Sequence, residues 1–143
     1  YNGTLKISGN NPYNYTVPGN VTLKANFVTG PQVFLEKVSA TQFKVKATSP
    51  FVFGTSLALI FNSDFNLFGT VTPAGALMIP LAPQYTVAYA DTSALSFDGE
   101  NCFITVTIPA GSAGTVTLQT PIANGGGVPV TIPVDPTRNS LTF

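Results

Sequence analysis

Hydrophobic and polar residues alternate along most of the chain. In residues 21–28 one face consists of the hydrophobic Val21, Leu23, Ala25 and Phe27, with polar residues between them. Because successive side chains of a β-strand point to opposite faces, this alternation predicts a strand with one buried face. The same alternation, or a short hydrophobic run, predicts further strands at 33–38, 43–48, 51–61, 67–71, 77–81, 85–89, 103–108, 115–118 and 128–134.

Turn-forming residues separate these predicted strands at intervals of roughly ten residues. Proline or glycine also interrupts nearly every window that is long enough for a helix. Short strands at this spacing are typical of an antiparallel sandwich, in which two sheets each bury one face. The sequence therefore predicts an all-β, immunoglobulin-like antiparallel β-sandwich. Glycines 125–127 are expected at a hairpin tip, and Pro129 and Pro133 indicate that 128–134 is an edge strand.

The beginning of the chain is an alternating segment of its own. Tyr1, Gly3, Leu5 and Ile7 fall on one face of this segment, and the run that follows is polar and rich in asparagine, proline and glycine. Such a run has little means of packing. The sequence is therefore divided into an N-terminal donor strand at 1–12, a connector at 13–20 and a β-sandwich domain at 21–143.

Two interpretations of the N-terminal strand are open. It is either the first strand of its own sheet, or a protruding donor strand that completes the sheet of a neighbouring copy. In the second case, Leu5 and Ile7 anchor the strand in the neighbour's core, helped by Tyr1 and by Gly3, where no side chain obstructs a close approach. Such a contact is head-to-tail and does not close, so its repetition builds a filament of identical subunits.

Composition narrows the classes of function. Only 8% of the 143 residues are charged, six cations balance six anions, and histidine is absent, whereas about 25% charged residues is usual. Six scattered cations argue against nucleic-acid binding, and a histidine-based catalytic or metal site is impossible. A surface with so little charge must be kept soluble by hydroxyls and amides or by attached sugar, or must be covered by neighbouring copies. No hydrophobic run is long enough for a membrane span.

Three N-glycosylation sequons fall within the first 22 residues, at Asn2, Asn14 and Asn20. Such sequons accept N-linked glycans in secreted proteins, although an asparagine-rich stretch also produces them by coincidence. Asn2 lies on the polar face of the N-terminal strand, so a glycan there is compatible with burial of Leu5 and Ile7. The sequons favour an extracellular glycoprotein.

No constellation of reactive residues stands out. Cys102 lies in an alternating hydrophobic run and is predicted to be a buried, inert thiol. A hydroxyl or thiol nucleophile would have no histidine as its base. Asp98 and Glu100 share one turn, which is either a plain β-turn or a source of oxygen ligands for a calcium ion, and the β-turn is favoured. We expect no enzyme activity, no catalytic residue, no metal site and no cofactor.

The general plan resembles the strand-built surface filament subunits of archaea, of the thread and bundling-pilus type. The shared features are the N-terminal strand, the polar connector, a sandwich rich in threonine and valine, low charge and the absence of a disulfide. The resemblance implies a structural pilus subunit at the cell surface, polymerised by donor-strand complementation and used for adhesion or cell–cell contact. Two other interpretations remain. A jelly-roll virion or capsid protein would assemble side by side, and a carbohydrate-binding or adhesin module would act as a monomer.

Overall fold

The computed structural model describes residues 6–7, 13–14 and 30–143, and every helix or strand assigned in these residues is a β-strand. All pairings between the strands are antiparallel, which confirms the predicted all-β class. The strands are β1 (Lys6–Ile7), β2 (Tyr13–Asn14), β3 (Val33–Ser39), β4 (Gln42–Ala47), β5 (Ser56–Ser63), β6 (Thr70–Thr72), β7 (Leu77–Leu81), β8 (Gln84–Tyr89), β9 (Cys102–Thr107), β10 (Thr115–Leu118), β11 (Ile122–Gly125), β12 (Val128–Thr131) and β13 (Ser140–Thr142).

Two sheets form the body of the fold. The four-stranded sheet has the order β3-β4-β9-β6, and the five-stranded sheet has the order β13-β10-β5-β8-β7. A hairpin of β11 and β12 lies beside the start of β5, where Asn124 and Gly54 form a bridge. Both sheets contribute buried side chains to one core. The predicted antiparallel β-sandwich is therefore confirmed.

Alternation along the strands builds this core. Phe43 and Val45 are fully buried in β4, and Leu59 and Phe61 are fully buried in β5. Phe43 and Phe61 belong to different sheets, and their rings meet edge to face with the centroids 5.9 Å apart. This is a favoured geometry for aromatic pairs, so the contact ties the two sheets together.

A second aromatic cluster joins two loops to β9. Phe53 stacks on Phe97 with the ring centroids 4.8 Å apart, and Phe51 meets Phe103 edge to face at 5.6 Å. The predicted strand at 51–61 is wrong over its first five residues, since β5 begins only at Ser56. Phe51 and Phe53 instead belong to a loop, in which the φ of 77° at residue 54 departs from extended backbone and requires glycine.

The C-terminal residues cover one side of the sandwich. The amide of Val33 donates to the carbonyl of Pro133 at 2.8 Å, and the amide of Leu35 donates to the carbonyl of Arg138 at 2.8 Å. This segment therefore lies along β3, after which β13 pairs with β10 at the edge of the other sheet. The outer strands of both sheets are linked on this side, and on the opposite side the sheets end in β6 and β7.

Several strand boundaries differ from the prediction. The strand predicted at 67–71 is reduced to β6, the one predicted at 128–134 ends at Thr131, and β11 and β13 were not predicted. Gly126 and Gly127 lie between β11 and β12 with φ values of 64° and 85°, which confirms the hairpin tip. Among the described strands β12 pairs only with β11, as predicted for an edge strand.

Near the N-terminus the structure describes two short strands. Lys6 pairs with Asn14 and Ile7 pairs with Tyr13 in an antiparallel ladder between β1 and β2. The remaining residues to position 29 lie outside the described part of the chain. The predicted boundaries at 1–12 and 13–20 and the predicted strand at 21–28 fall largely on these residues.

Candidate assembly surface

Strand β7 is one of the two outer strands of the five-stranded sheet, and among the described strands it pairs only with β8. Pro80 lies in this ladder opposite Tyr85. Because proline has no N–H, its nitrogen must face away from the paired strand. Met78 precedes Pro80 by two residues, so its N–H points to the same side, where no described strand pairs. The edge of β7 therefore offers hydrogen-bonding groups to another strand.

The side chains of β7 are unusually hydrophobic for an edge strand. Leu77 is 63% exposed, Ile79 is 38% exposed and Leu81 is 70% exposed. Natural proteins commonly protect such edges with charged residues or with proline, and β7 has no charged residue and a single proline, Pro80. An edge that is both unpaired and hydrophobic favours the addition of a strand from another chain.

These three side chains lie on the outer face of the five-stranded sheet, away from the core. Ile79 pairs with Thr86, which also pairs with Ile60 on the next strand. Leu77 likewise lies in a row with Ala88. The five strands of this sheet contain no charged residue. The outer positions of these strands are therefore uncharged. On β5, β8 and β7 the hydrophobic Ile60, Ala88 and the three β7 side chains lie among polar residues such as Thr86.

The outer face of the four-stranded sheet has a different character. Lys44 forms an ion pair with Glu100 at 3.0 Å, and Lys46 forms one with Glu36 at 3.1 Å. The hydrogen bond from Lys44 holds the pKa of the Glu100 carboxyl below its usual value. Arg138 lies over the ring of Phe34 at 3.6 Å from its centroid, a cation–π contact. Charge is thus concentrated on one sheet and absent from the strands of the other.

The point at which residues 1–29 join the described domain lies away from β7. They join the described domain at Gly30, three residues before β3 begins at Val33. Strand β3 is an outer strand of its sheet and lies on the side that the C-terminal segment covers. The edge of β7 that no described strand pairs lies on the opposite side. The point where the N-terminal residues join and the hydrophobic edge are therefore on opposite sides of the sandwich.

A groove of about 320 Å³ lies beside the hairpin of β11 and β12. Phe51, Val52 and Val130 line it together with other uncharged residues, and Val52 is 90% exposed. Oδ1 of Asn124 is buried in the hairpin without a hydrogen-bond partner among the described residues. Pro31 also lines the groove, so this hydrophobic cleft adjoins the point where residues 1–29 join the domain.

Cys102 and Asp98, which were considered for possible chemistry, both make contacts within the fold. Cys102 is 6% exposed, as predicted for a buried thiol, and burial raises its pKa. Oδ1 of Asp98 accepts hydrogen bonds from the amides of Glu100 and Cys102 at 2.8 and 2.9 Å, which lower its pKa. Asp98 thereby caps its own turn, as in the β-turn interpretation. In the described residues no three cysteine or carboxylate side chains come close enough together to hold a metal ion.

The predicted donor-strand and glycosylation residues are only partly described. Tyr1, Gly3, Leu5, Asn2 and Asn20 lie outside the described residues, and for Ile7 and Asn14 the structure describes the strand pairing alone. The hydrophobic edge at 77–81 was predicted as a strand but not as a candidate interface. Its sequence, Leu-Met-Ile-Pro-Leu, carries the signal, because it is hydrophobic on both faces and contains a proline that suits an edge.

No protein-family model, curated protein or solved structure matches this chain. In the part of the chain that the structure describes, no helix has the length and hydrophobicity needed to cross a membrane.

Proposed function

We propose that the protein is a structural subunit of an extracellular filament, which polymerises head to tail when the N-terminal strand of one copy adds to the sheet of the next. Adhesion or cell–cell contact is the role proposed for the filament. The single observation that carries the proposal is the location of the hydrophobic edge of β7 opposite the side where residues 1–29 join the domain.

The opposite placement favours a polymer over a closed dimer. A strand that leaves one side of a subunit and binds the other side of the next makes a heterologous contact, and such contacts build open filaments unless their rotation closes a ring. A donor site and an acceptor site on the same side would instead favour reciprocal exchange between two copies.

The dimensions of the two segments are compatible with strand addition. The five residues of β7 span roughly 17 Å, and the eight alternating residues at 1–8 span roughly 26 Å when extended. The outward N–H of Met78 is available to such a strand. Leu5 and Ile7 would then face the hydrophobic groups between the two sheets, and Asn2 would face solvent.

The composition supports an extracellular location. The described surface has few charges, and the sequons at Asn2, Asn14 and Asn20 would place N-linked glycans on the segment that joins successive subunits. The single cysteine leaves the domain without an internal disulfide, so its stability would come from the aromatic core and from assembly.

Negative-stain electron microscopy of Ile7→Asp and Met78→Pro chains tests this function. Ile7→Asp places a charge in the donor strand, and Met78→Pro removes the outward N–H of the acceptor without removing a bond to β8. We expect both chains to be soluble and to form no filaments. Ile7→Val and Met78→Leu are the matched controls and should form filaments that survive boiling in detergent.

Each other outcome would overturn the proposal in a recognisable way. Filaments of normal length from Ile7→Asp would exclude the N-terminal strand as the donor. Closed shells from the unmodified chain would favour the capsid interpretation. Monomers of the unmodified chain at all concentrations would favour a binding module.

A further inference from the structure

Strand addition leaves the outer face of the five-stranded sheet uncovered, including its exposed hydrophobic side chains on β7. A strand that adds to β7 lies in the plane of the sheet, about 4.8 Å to one side. Leu77, Ile79 and Leu81 point out of that plane, because their partners on β8 alternate with the buried Tyr85, Val87 and Tyr89. Only a layer that packs on top of the sheet buries them.

We propose that this outer face packs against the same face of a second copy of the chain. The contact is a lateral interface, separate from the edge of β7 and from the N-terminal strand. Its centre is the row formed by Ile79, Thr86 and Ile60, which pair across β7, β8 and β5.

The distribution of charge favours a second copy of the chain as the partner that packs on this face. The five strands of this sheet contain no charged residue, so the face has no means of attracting a charged partner by complementarity. A charged partner would lose hydration without gaining an ion pair. The same face of another copy is uncharged, carries the same hydrophobic side chains on β7 and β5, and has the matching pleat for face-to-face packing of sheets.

The size of the face indicates a weak contact. Five strands about 4.8 Å apart, with roughly five residues each, cover about 24 Å by 17 Å, or about 400 Å². A stable interface commonly buries about 800 Å² on each partner. One such contact is therefore insufficient for a permanent dimer, but repetition along two aligned polymers multiplies it. This last step rests on the proposed function, whereas the contact between two single copies does not.

Sedimentation velocity of the Ile7→Asp chain tests the contact in the absence of end-to-end polymerisation. Between about 10 μM and about 1 mM, we expect the sedimentation coefficient to rise with concentration as monomers pair. Thr86→Lys introduces a charge at the centre of the face without touching the edge of β7, and we expect it to weaken pairing at least about tenfold. Thr107→Lys is the matched control, because Thr107 is an equally half-buried threonine on an inner strand of the other sheet. It should pair like its parent.

Four results would overturn the inference. The first is an Ile7→Asp chain that remains monomeric to about 1 mM. The second is equal weakening of pairing by Thr86→Lys and Thr107→Lys. The third is a lower melting temperature of the Thr86→Lys monomer with unchanged association, which would assign the face to residues 1–29 of the same chain. Binding of monomeric chains to phosphatidylcholine vesicles that Thr86→Lys abolishes would assign the face to lipid instead.

The inference and the proposed function fail separately. Filaments of the unmodified chain that remain single in micrographs, together with a monomeric Ile7→Asp chain, would leave the proposed function and remove the lateral contact. Concentration-dependent pairing without any filaments would leave the lateral contact and remove the proposed function. If the Ile7→Asp chain still forms filaments, micrographs of this chain with and without Thr86→Lys show whether the substitution reduces the lateral pairing of filaments.

Discussion

Gly69 lies directly against the backbone carbonyl of Thr107, so that a β-carbon on residue 69 would overlap the carbonyl oxygen. Gly69 immediately precedes β6, and Thr107 pairs with Thr70 at the start of that strand. The close approach brings the short outer strand onto β9. The position requires glycine because of this contact and not because of its φ angle, which is not in the left-handed region.

We expect Gly69→Ala to lower the free energy of unfolding by about 1–3 kcal/mol, as overpacking does in a rigid environment. The obstacle is backbone, which cannot rotate away as a side chain can. Gly99→Ala is the control, since a β-carbon there meets no atom within 4 Å, and it should change stability by less than about 0.5 kcal/mol. Urea unfolding of the two variants measures the difference. Equal midpoints would contradict the prediction.

The hydroxyl of Tyr89 is expected to make stability depend on alkaline pH. It donates a hydrogen bond to the carbonyl of Pro73 at 2.5 Å, and the residue is 1% exposed. Burial raises the pKa of Tyr89 to about 12 from an ordinary value of 10.0. Between pH 10.0 and about 12, the Tyr89 hydroxyl loses its proton in the unfolded chain and keeps it in the folded chain. This contribution to stability is therefore complete below pH 10 and is lost as the pH rises towards about 12.

Tyr89→Phe isolates this effect from the titration of the other tyrosines and of the lysines. The variant should be less stable at neutral pH by about 1 kcal/mol, because the hydrogen bond to Pro73 is lost. Its stability should also fall less steeply than that of the parent above pH 10. Urea unfolding at a series of pH values gives both quantities. Parallel pH profiles of parent and variant would show that Tyr89 titrates normally in the folded chain.

Asp135 is expected to make stability fall as the pH is lowered, which is the opposite direction to the effect of Tyr89. Hydrogen bonds from the side chain and amide of Thr137, and then from Arg138, lower its pKa from 3.8 to about 2. Between pH 3.8 and about 2, the Asp135 carboxyl therefore stays ionised in the folded chain and takes up a proton in the unfolded chain. This contribution is present above pH 3.8 and is lost as the pH falls towards about 2.

Thr137→Ala removes the largest cause of the shift while leaving Arg138 in place. In this variant the pKa of Asp135 should rise towards its ordinary value, and the acid-induced loss of stability should become shallower. A carbon-detected NMR titration of the Asp135 carboxyl measures the pKa directly. An unchanged pKa in Thr137→Ala would refute the assignment of the shift to the threonine.

The strands that the sequence predicts well are those with clear alternation of polarity. The strand expected at 115–118 coincides with β10, and the one at 43–48 differs from β4 by a single residue at each end. Their periodicity is local and reports directly which face is buried. Strand β13 has only three residues and is defined by pairing with β10 across more than twenty residues of chain. No local pattern contains that information.

The candidate surface is harder to predict for a related reason. In 51–61 and 77–81 hydrophobic residues occupy both alternating positions, so polarity does not indicate which residues are buried. The structure buries Phe53 in a loop and exposes Leu77 and Leu81 on a strand. The difference depends on neighbouring elements, namely the aromatic cluster around Phe53 and the absence of another described strand beyond β7. These are tertiary relationships, which a single sequence does not display.

Cys102 is expected to react with thiol reagents only when the sandwich opens. Its Sγ lies 3.4 Å from the carbonyl oxygen of Ile104, and burial raises its pKa, so the reactive thiolate is both scarce and shielded. We expect labelling by an aromatic disulfide reagent at pH 8 to be at least about 100-fold slower than for an exposed thiol, and limited by opening of the fold. Val38→Cys in a Cys102→Ala background is the control, because Val38 is 47% exposed. Equal labelling rates for the two thiols would contradict the burial of Cys102 in solution.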